Sequence, residues 1–293
     1  MPELPEVETV KRGLEPALVG ARITRVQLAR KNLRFPFPDR FQIRLQGRRV
    51  THLSRRAKYL LIMLEGEEVL VIHFGMSGRL TLSPLYKSVS NKKTFETLPG
   101  DPKHDHVVFH LEKGARLTYN DPRRFGFMDL VNSDELSVHR LFKALGPEPL
   151  GNGFNAYHLA RLAMGRKTDL KAFLLDQHTV AGLGNIYVCE ALYRACLSPK
   201  RAANTLATKR RGPAKRAEVL VQAIRDVLND AIVAGGSSLK DFKKPDGALG
   251  YFQHSFEVYG REGRKCRRQT CNGIVARITQ AGRSTFYCPR CQH

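Results

Sequence analysis

Cys266-Arg-Arg-Gln-Thr-Cys271, followed sixteen residues later by Cys288-Pro-Arg-Cys291, is the stretch whose reading decides the C-terminal fold. Two short cysteine pairs at this spacing offer four thiolates to one tetrahedral zinc ion, and the residues between them form a hairpin. Ile274 to Ile278 reads as one strand and Ser284 to Tyr287 as the other, with Ala281-Gly282 near the turn. A pair of disulfides is the rival reading, and the lack of an export signal speaks against it. From Arg261 onward eight Lys or Arg residues stand against one acid, Glu262. So short a segment builds little core, so the metal supplies its folding energy and its basic strands stay open to phosphates. A four-cysteine site is closed to substrate, which makes the ion structural. Cys189 and Cys196 lack partner spacing and read as buried thiols.

Outward from this module, charge is the dominant signal. Lys plus Arg total 49 against 27 acids, a formal +22 over 293 residues. Such a field attracts polyanions, and it favours a nucleic acid over an anionic membrane surface without separating DNA from RNA. The run Lys209-Arg210-Arg211 can equally be a solvated face. Hydrophobic residues make up 42%, enough for packed cores. No apolar run approaches the roughly 18 residues of a membrane span, and no secretory signal is visible, so an intracellular protein is expected.

Val7, Val10, Leu14 and Leu18 keep helical spacing near the start. From Ile23 to Leu130 short β-like runs follow, among them Tyr59–Leu64, Val69–Ile72, Val107–Phe109 and Phe127–Leu130. No helices alternate with them, which predicts a β-sandwich rather than a parallel sheet. The polar stretch 83–102 reads as a loop. Gly146-Pro-Glu-Pro149 marks a boundary, beyond which the chain turns helical. Leu220, Ala223, Ile224, Val227, Leu228, Ala231 and Ile232 form an amphipathic stripe ended by Gly235-Gly236. Leu170, Phe173 and Leu174 suggest another helix. Gly182-Leu-Gly-Asn185 makes a tight turn into a helix near Ile186, offering backbone N–H groups to a phosphate unless it is an ordinary connection. The fold class expected is α+β and multidomain, with boundaries at 1–150, 151–256 and 257–293.

Pro2-Glu3 is the next clue. Once the initiator Met is removed, Pro2 carries a free secondary amine, and an α-amine titrates near neutrality. Its attack on a sugar C1′ gives a cationic iminium that acidifies the C2′ proton and permits strand-breaking elimination. Glu3 lies close enough to serve as acid/base partner.

Met1-Pro-Glu-Leu-Pro-Glu-Val-Glu-Thr9 opens a series of matches that runs the length of the chain. It continues with Arg55-Arg-Ala-Lys-Tyr-Leu-Leu61, His73-Phe-Gly-Met-Ser-Gly78, Lys103-His-Asp-His106 and Asp121-Pro-Arg-Arg-Phe-Gly126. Gly182-Leu-Gly-Asn-Ile-Tyr187, Gly236-Ser-Ser-Leu-Lys-Asp-Phe242, Val258-Tyr-Gly-Arg261 and the cysteine frame complete it. Taken in order, they resemble the formamidopyrimidine-DNA glycosylase family, bacterial base-excision-repair enzymes that excise oxidised purines and nick the strand. The resemblance implies a β-sandwich with a flanking helix, a central helix-two-turn-helix domain and a zinc-finger hairpin. It also implies a monomer acting in the cytoplasm, at the nucleoid, on duplex DNA bearing oxidised bases or abasic sites, with one structural zinc ion.

Residue by residue, the resemblance makes Pro2 the Schiff-base nucleophile and Glu3 the acid that protonates the opening sugar. Lys58 assists β-elimination, and Arg283 serves δ-elimination and grips phosphate. Glu6 is a second carboxylate near the lesion. Met76, Arg123 and Phe125 fill the gap left by the everted base. His104, Arg166, Lys171 and Asn185 match phosphate-contacting positions, Cys266, Cys271, Cys288 and Cys291 hold the zinc, and 237–251 caps the flipped base. Extruding a base leaves a hole, and an apolar wedge such as Phe125 suits it. Without the resemblance, Asp121–Gly126 reads as a charged turn and Lys58 as an edge lysine with its stem buried. His104 and His106 have no cysteine near them in sequence and are not read as metal ligands.

Two departures from the family pattern stand out: a long 83–102 loop, and Arg166 where lysine is frequent. Arginine is a planar fork rather than a point donor, so the phosphate geometry there differs. Two rivals remain at this level. One is an endonuclease VIII-like enzyme for oxidised pyrimidines, against which Leu4 and Arg123-Arg124-Phe125 argue. The other is a non-catalytic zinc-ribbon DNA-binding protein.

Overall fold

The computed structural model describes residues 2–83, 101–208, 210, 212–237, 245 and 249–293. The chain divides into two compact units, Met1–Phe142 with Ala234–Tyr251, and Lys143–Val233 with Phe252–His293. Most of the 83–102 loop, and much of the 237–251 segment expected to cap a base, lie outside the described residues.

The first unit begins with helix α1 (Leu4–Leu18) and continues through β1 (Ile23–Leu28), α2 (Phe41–Leu45), β2 (Val50–Arg56), β3 (Tyr59–Leu64), β4 (Glu68–His73), β5 (Arg79–Ser83), β6 (Asp105–Leu111), β7 (Arg116–Asn120) and β8 (Phe127–Asn132). The strands form two antiparallel sheets of four, in the orders β1-β6-β7-β5 and β2-β3-β4-β8. Their facing sides share one core that includes Leu60, Ile62, Leu70, Ile72, Phe109, Leu117 and Tyr119. Val7, Val10, Leu14 and Leu18 of α1 enter the same core, as their spacing predicts. In β3 and β4, Leu61, Val69 and Val71 are buried as well. Both faces of that sheet are covered, so these strands read as continuous apolar runs instead of alternating ones.

The segment after Val233, Ala234–Tyr251, groups with the first unit. Ser237 donates its N–H to Glu6 Oε1 at 2.8 Å, and Pro245 accepts the Leu82 N–H at 3.1 Å. The expected 151–256 span thus contains a stretch that groups with the first unit, where the Ser237 N–H finds its acceptor and the Pro245 carbonyl its donor.

The second unit holds α3 (Ala156–Ala163), α4 (Leu170–Leu175), α5 (Asn185–Arg194), α6 (Lys215–Val233), and the hairpin β9 (Ala276–Gln280) and β10 (Arg283–Tyr287). The α6 stripe named above is buried throughout. Ala281 and Gly282, both at positive φ, make the two-residue turn between β9 and β10, and Arg283 pairs with Gln280. The hairpin sits two residues later at its first strand than expected, since Val275 is taken up by a bond to Arg264 O. It does not stand apart as a third body. Cys189 and Tyr193 of α5 share a core with Val258, Cys266, Cys271, Val275 and Cys288. Glu190, fully buried in α5, accepts the backbone N–H groups of Glu257, Val258 and Tyr259 at 2.8 to 3.0 Å. Burial pushes this carboxyl above its usual range, and the three amides only partly offset that. Among the described residues no helix is long and apolar enough to cross a membrane.

Glu190→Ala would leave one buried and two partly buried donors without their acceptor. We expect it to cost about 3 kcal/mol or more in urea unfolding of the second unit. An unchanged midpoint would show that these amides have other acceptors.

Candidate functional site

Pro2 is buried directly ahead of α1, where a secondary amine would stand once Met1 is gone. Glu3 is the N-cap and is 3% exposed, and Glu6, in the first turn, is 2% exposed. The two form a capping box in which Glu3 N–H donates to Glu6 Oε2 at 2.9 Å. The other Glu6 oxygen holds the Ser237 N–H. Glu6 is thus a clamp that ties the start of α1 to the base of the 237–251 segment, and it fixes the orientation of the Pro2-Glu3 peptide.

Lys58 occupies a two-residue turn between β2 and β3, after Ala57 in the left-handed region at φ 52. It is buried. Arg55 braces this turn to the helix, donating from Nε to Glu8 Oε2 at 3.1 Å and from Nη1 to Ala57 O at 3.0 Å. Glu8 also takes Arg12 Nε at 2.9 Å. Burial raises the Glu8 carboxyl, but Arg12, Lys11 and Arg55 together outweigh it and leave it below the usual range. The Glu8–Arg55 pair thus joins α1, the helix that follows Pro2, to the turn that carries Lys58.

A cleft of about 650 Å³ in the first unit is lined by Leu33, Arg34, His73, Gly75, Met76, Arg123, Arg124 and Phe125. It brings Met76, Arg123 and Phe125 together from two separate motifs. Phe125 is 44% exposed, and the Arg123 guanidinium lies 4.8 Å from its ring centroid. Asp121 shapes the loop below them. Its carboxylate, fully buried, accepts Ser77 Oγ at 2.5 Å, Gly126 N–H at 2.9 Å and the Tyr119 hydroxyl at 3.3 Å. Ser77 Oγ in turn accepts the Arg123 N–H at 3.2 Å. A Cβ on Gly75 would collide with the Phe125 backbone, and one on Gly126 with the Tyr119 hydroxyl, so both positions require glycine. The Asp121 N–H donates to His104 O at 3.1 Å, which ties His104 to the same loop. His106 is buried, its Nε2 2.9 Å from Asp121 O, and it serves as a backbone partner rather than a ligand.

His73, on the floor of the cleft, stacks on Phe127 with ring centroids 5.2 Å apart. Burial first, then the positive charges of Lys58 and Arg34, push its imidazole down to about 4, so it is neutral at neutral pH.

In the second unit Arg283 is exposed at the first position of β10. Asn185, the first residue of α5, donates from Nδ2 to Ser284 O at 2.9 Å and to the Tyr259 hydroxyl at 3.4 Å. Lys171, matched by the resemblance to a phosphate-contacting position, has its side chain inside the protein. It is fully buried in α4, and its Nζ donates to Thr285 Oγ1 at 2.5 Å and Ser284 O at 3.1 Å. Burial lowers its ammonium below the usual lysine range, and the Arg283 guanidinium pushes the same way. Arg166 is exposed, its guanidinium 5.8 Å from the Phe173 ring centroid and 4.0 Å from Asp176 Oδ2.

The four cysteines fit a zinc ion. Their Sγ atoms all lie within 4.8 Å of one another, with Cys266–Cys291 at 3.9 Å and Cys271–Cys288 at 3.6 Å. Zn–S bonds of about 2.3 Å in a tetrahedron require sulfur separations of about 3.8 Å. No disulfide links them. Tyr193 OH lies 3.2 Å from Cys266 Sγ and Gly273 N–H donates to Cys271 Sγ at 3.4 Å, contacts that orient the ligands.

Sequence reading passed over His73, Arg34, Arg55 and Asp121 as individual residues, and took Glu8 only as an acid near the positive end of the first helix. Glu8, His73, Arg55 and Asp121 lie inside motifs already quoted, whereas Arg34 carries no local signal.

Residues 1–128 match the model of the formamidopyrimidine-DNA glycosylase N-terminal domain, 145–243 its H2TH domain, and 263–293 a zinc finger found in FPG and IleRS. The chain is 58% identical to a formamidopyrimidine-DNA glycosylase of Ruegeria pomeroyi and 56% identical to one of Sinorhizobium fredii, covering 100% of both partners in each case. Among solved structures it resembles Lactococcus lactis Fpg in complex with an abasic-site DNA, with TM-score 0.83, 32% identity and 100% of both chains covered. It also resembles the MutM (Fpg) protein of Thermus thermophilus, with TM-score 0.82, 39% identity, and 99% of this chain and 98% of that one covered.

Two outcomes follow from the geometry. Unfolded His73 takes up its proton near 6.5, whereas folded His73 takes it up only near about 4. Between those values the unfolded chain binds the extra proton, so stability falls as pH drops through the window. His73→Phe should flatten that slope by up to one proton, read from urea unfolding at pH 4.5 and 6.5, and an unaltered slope would contradict a neutral buried ring. Separately, metal analysis should find one zinc per chain, and chelation should expose four further reactive thiols and open 257–293 to proteases while the β-sandwich stays resistant.

Proposed function

Because the chain belongs to the formamidopyrimidine-DNA glycosylase family, we propose that Pro2 is the nucleophile with which this glycosylase and AP lyase attacks the lesion sugar. The enzyme removes oxidised purines from DNA, and one structural zinc ion sits in its four-cysteine site. The observation that carries the reading is the pairing, at the head of α1, of a buried proline with a buried carboxyl next to it.

In this reading the Pro2 nitrogen forms a bond to C1′ as the glycosidic bond breaks and the purine departs with a proton. Glu3 protonates the ring oxygen, the sugar opens, and an iminium remains. A proton then leaves C2′ and the 3′ phosphate is expelled, a step that Lys58 assists. A second elimination, served by Arg283, expels the 5′ phosphate. Everting the base costs a few kcal/mol and leaves a hole, which Met76 and Phe125 fill while Arg123 faces the orphaned cytosine. His104, Arg166 and Asn185 bind phosphates, and Glu6 holds the base of the segment that caps the flipped base. Lys171 acts by a different route, taken up below. The substrate is duplex DNA carrying 8-oxoguanine, formamidopyrimidines or abasic sites, as in the solved Lactococcus complexes with abasic-site and Fapy-dG-type DNA. The enzyme works as a monomer in the bacterial cytoplasm, at the nucleoid when acting.

The test is borohydride reduction with an 8-oxoguanine·cytosine duplex. A covalent adduct mapped to Pro2 is expected, on protein whose Met1 is shown by mass spectrometry to be absent, and none is expected with uncleaved Met1, where the nitrogen is an amide. No adduct on correctly processed protein would sink the proposal. The same trap on oxidised-pyrimidine duplexes should give less adduct, and a reversed preference would move the enzyme to the endonuclease VIII branch.

A further inference from the structure

A lysine with no exposed surface and no ion pair among the described residues calls for an explanation. Lys171 directs its ammonium at one short piece of β10, the Ser284 carbonyl and the Thr285 hydroxyl. Asn185 donates to the same Ser284 carbonyl. One carbonyl oxygen therefore takes two donors from α4 and α5, and it belongs to the residue directly after Arg283. On the other side of Arg283 lies the tight Ala281-Gly282 turn. Arg283 and Thr285 point to the same face of the hairpin, since side chains alternate along a strand. The zinc site holds the far ends of β9 and β10, at Cys271 and Cys288, and a two-stranded hairpin without further support is marginal in water. Zinc alone therefore leaves the tip that carries Arg283 loosely held.

We infer that Lys171 is a positioning residue: it pins the Ser284–Thr285 segment to α4 and so fixes the direction in which Arg283 is presented. This rests on the reading of Arg283 as the group that serves the second elimination. A charge is used here because a buried ammonium supplies up to three donors from a single point and forms charge-assisted bonds stronger than neutral ones. Burial of the whole side chain also removes Lys171 from direct contact with phosphate, which sets it apart from Arg166 on the surface.

The test uses the full-length, zinc-loaded, Met1-processed enzyme and the variants Lys171→Met, Thr285→Val, Arg283→Ala and the double variant K171M/R283A. Methionine fills a similar volume without the charge, so zinc content and the β-sandwich should be retained. Hydrogen exchange at residues 280–286 should become at least about 10-fold faster in K171M, with a smaller change in T285V. Wild-type exchange in both variants overturns the anchoring. With saturating abasic-site duplex, the second elimination should slow on the order of 10- to 100-fold in K171M, as misplacement by about an ångström does. The Pro2 adduct trapped by borohydride should stay near the wild-type level. K171M/R283A should be no slower than R283A alone, because both changes act through one group. A further drop in the double variant, or wild-type elimination in K171M beside a slow R283A, overturns the proposal. If R283A itself eliminates like wild type, the Arg283 reading fails, and the exchange result then decides the anchoring alone. If K171M does not retain zinc, T285V carries both measurements, and wild-type behaviour there overturns the proposal.

Discussion

A buried charge without an opposite charge must be satisfied by backbone and hydroxyl dipoles, and this protein is arranged around that requirement. Asp121, Glu190 and Lys171 are fully buried, and none has an ion pair among the described residues. Asp121 gathers a hydroxyl, a phenol and the Gly126 amide; Glu190 gathers three successive amides; Lys171 takes a carbonyl and a hydroxyl. In each case the charge pins a loop or strand to an element far away in sequence. Moving such a segment would leave a desolvated ion behind, so the segment is held more firmly than packing alone would hold it. The parts so pinned are the cleft loop 121–126, the lead-in to the zinc module, and the strand that begins at Arg283.

The net charge of +22 gives this a second meaning. Acids are scarce, and those drawn inside are withdrawn from the surface field. Glu3, Glu6, Glu8, Asp121 and Glu190 all have little exposure. Each of them organises backbone or neighbouring cations, and the outer surface is left more positive than the composition alone suggests. A polyanion meets that field, and the acids it cannot reach hold the framework. Glu8 is paired directly with Arg12 and Arg55, and the pairing fastens α1 to the turn of Lys58.

Much of this was legible in the residues. The spacing of Val7, Val10, Leu14 and Leu18, the α6 stripe and the cysteine frame each carry a period or a count that geometry must obey. Strands β3, β4, β6 and β8 stood out because their buried faces make apolar runs. Strands β1, β2, β5 and β7 are less conspicuous because Arg, Thr, Gln, Ser or Asn interrupt their apolar residues, and so short a mixed pattern is weak over five to seven residues. The division into units could not be read from boundaries such as Gly146-Pro149, because 234–251 joins the first unit through contacts distant in sequence, among them bonds to Glu6 and from Leu82. Lys171 shows the limit most clearly. The family resemblance makes it a phosphate ligand, and its burial and two acceptors point to another role.

The site can then be understood as side chains of modest freedom mounted on backbone of very little. In the proposed reading Arg123, Phe125 and Met76 meet a nucleic acid whose base has left the stack, a task for side chains that stay partly free. Their main chain does not: Gly75 and Gly126 pack where no Cβ fits, and Asp121 bonds the loop from beneath. At the head of α1, Glu6 spends both carboxylate oxygens on amides, so a shift of the Pro2-Glu3 peptide would break a buried charge-assisted bond. Catalysis that depends on placing an amine against one carbon tolerates little displacement, since a misplacement of about 1 Å costs about 100-fold. A helix N-terminus would ordinarily fray. Here the capping box and the Ser237 amide hold it, so the nucleophile proposed at Pro2 would sit on backbone that is fixed where a chain is otherwise loosest.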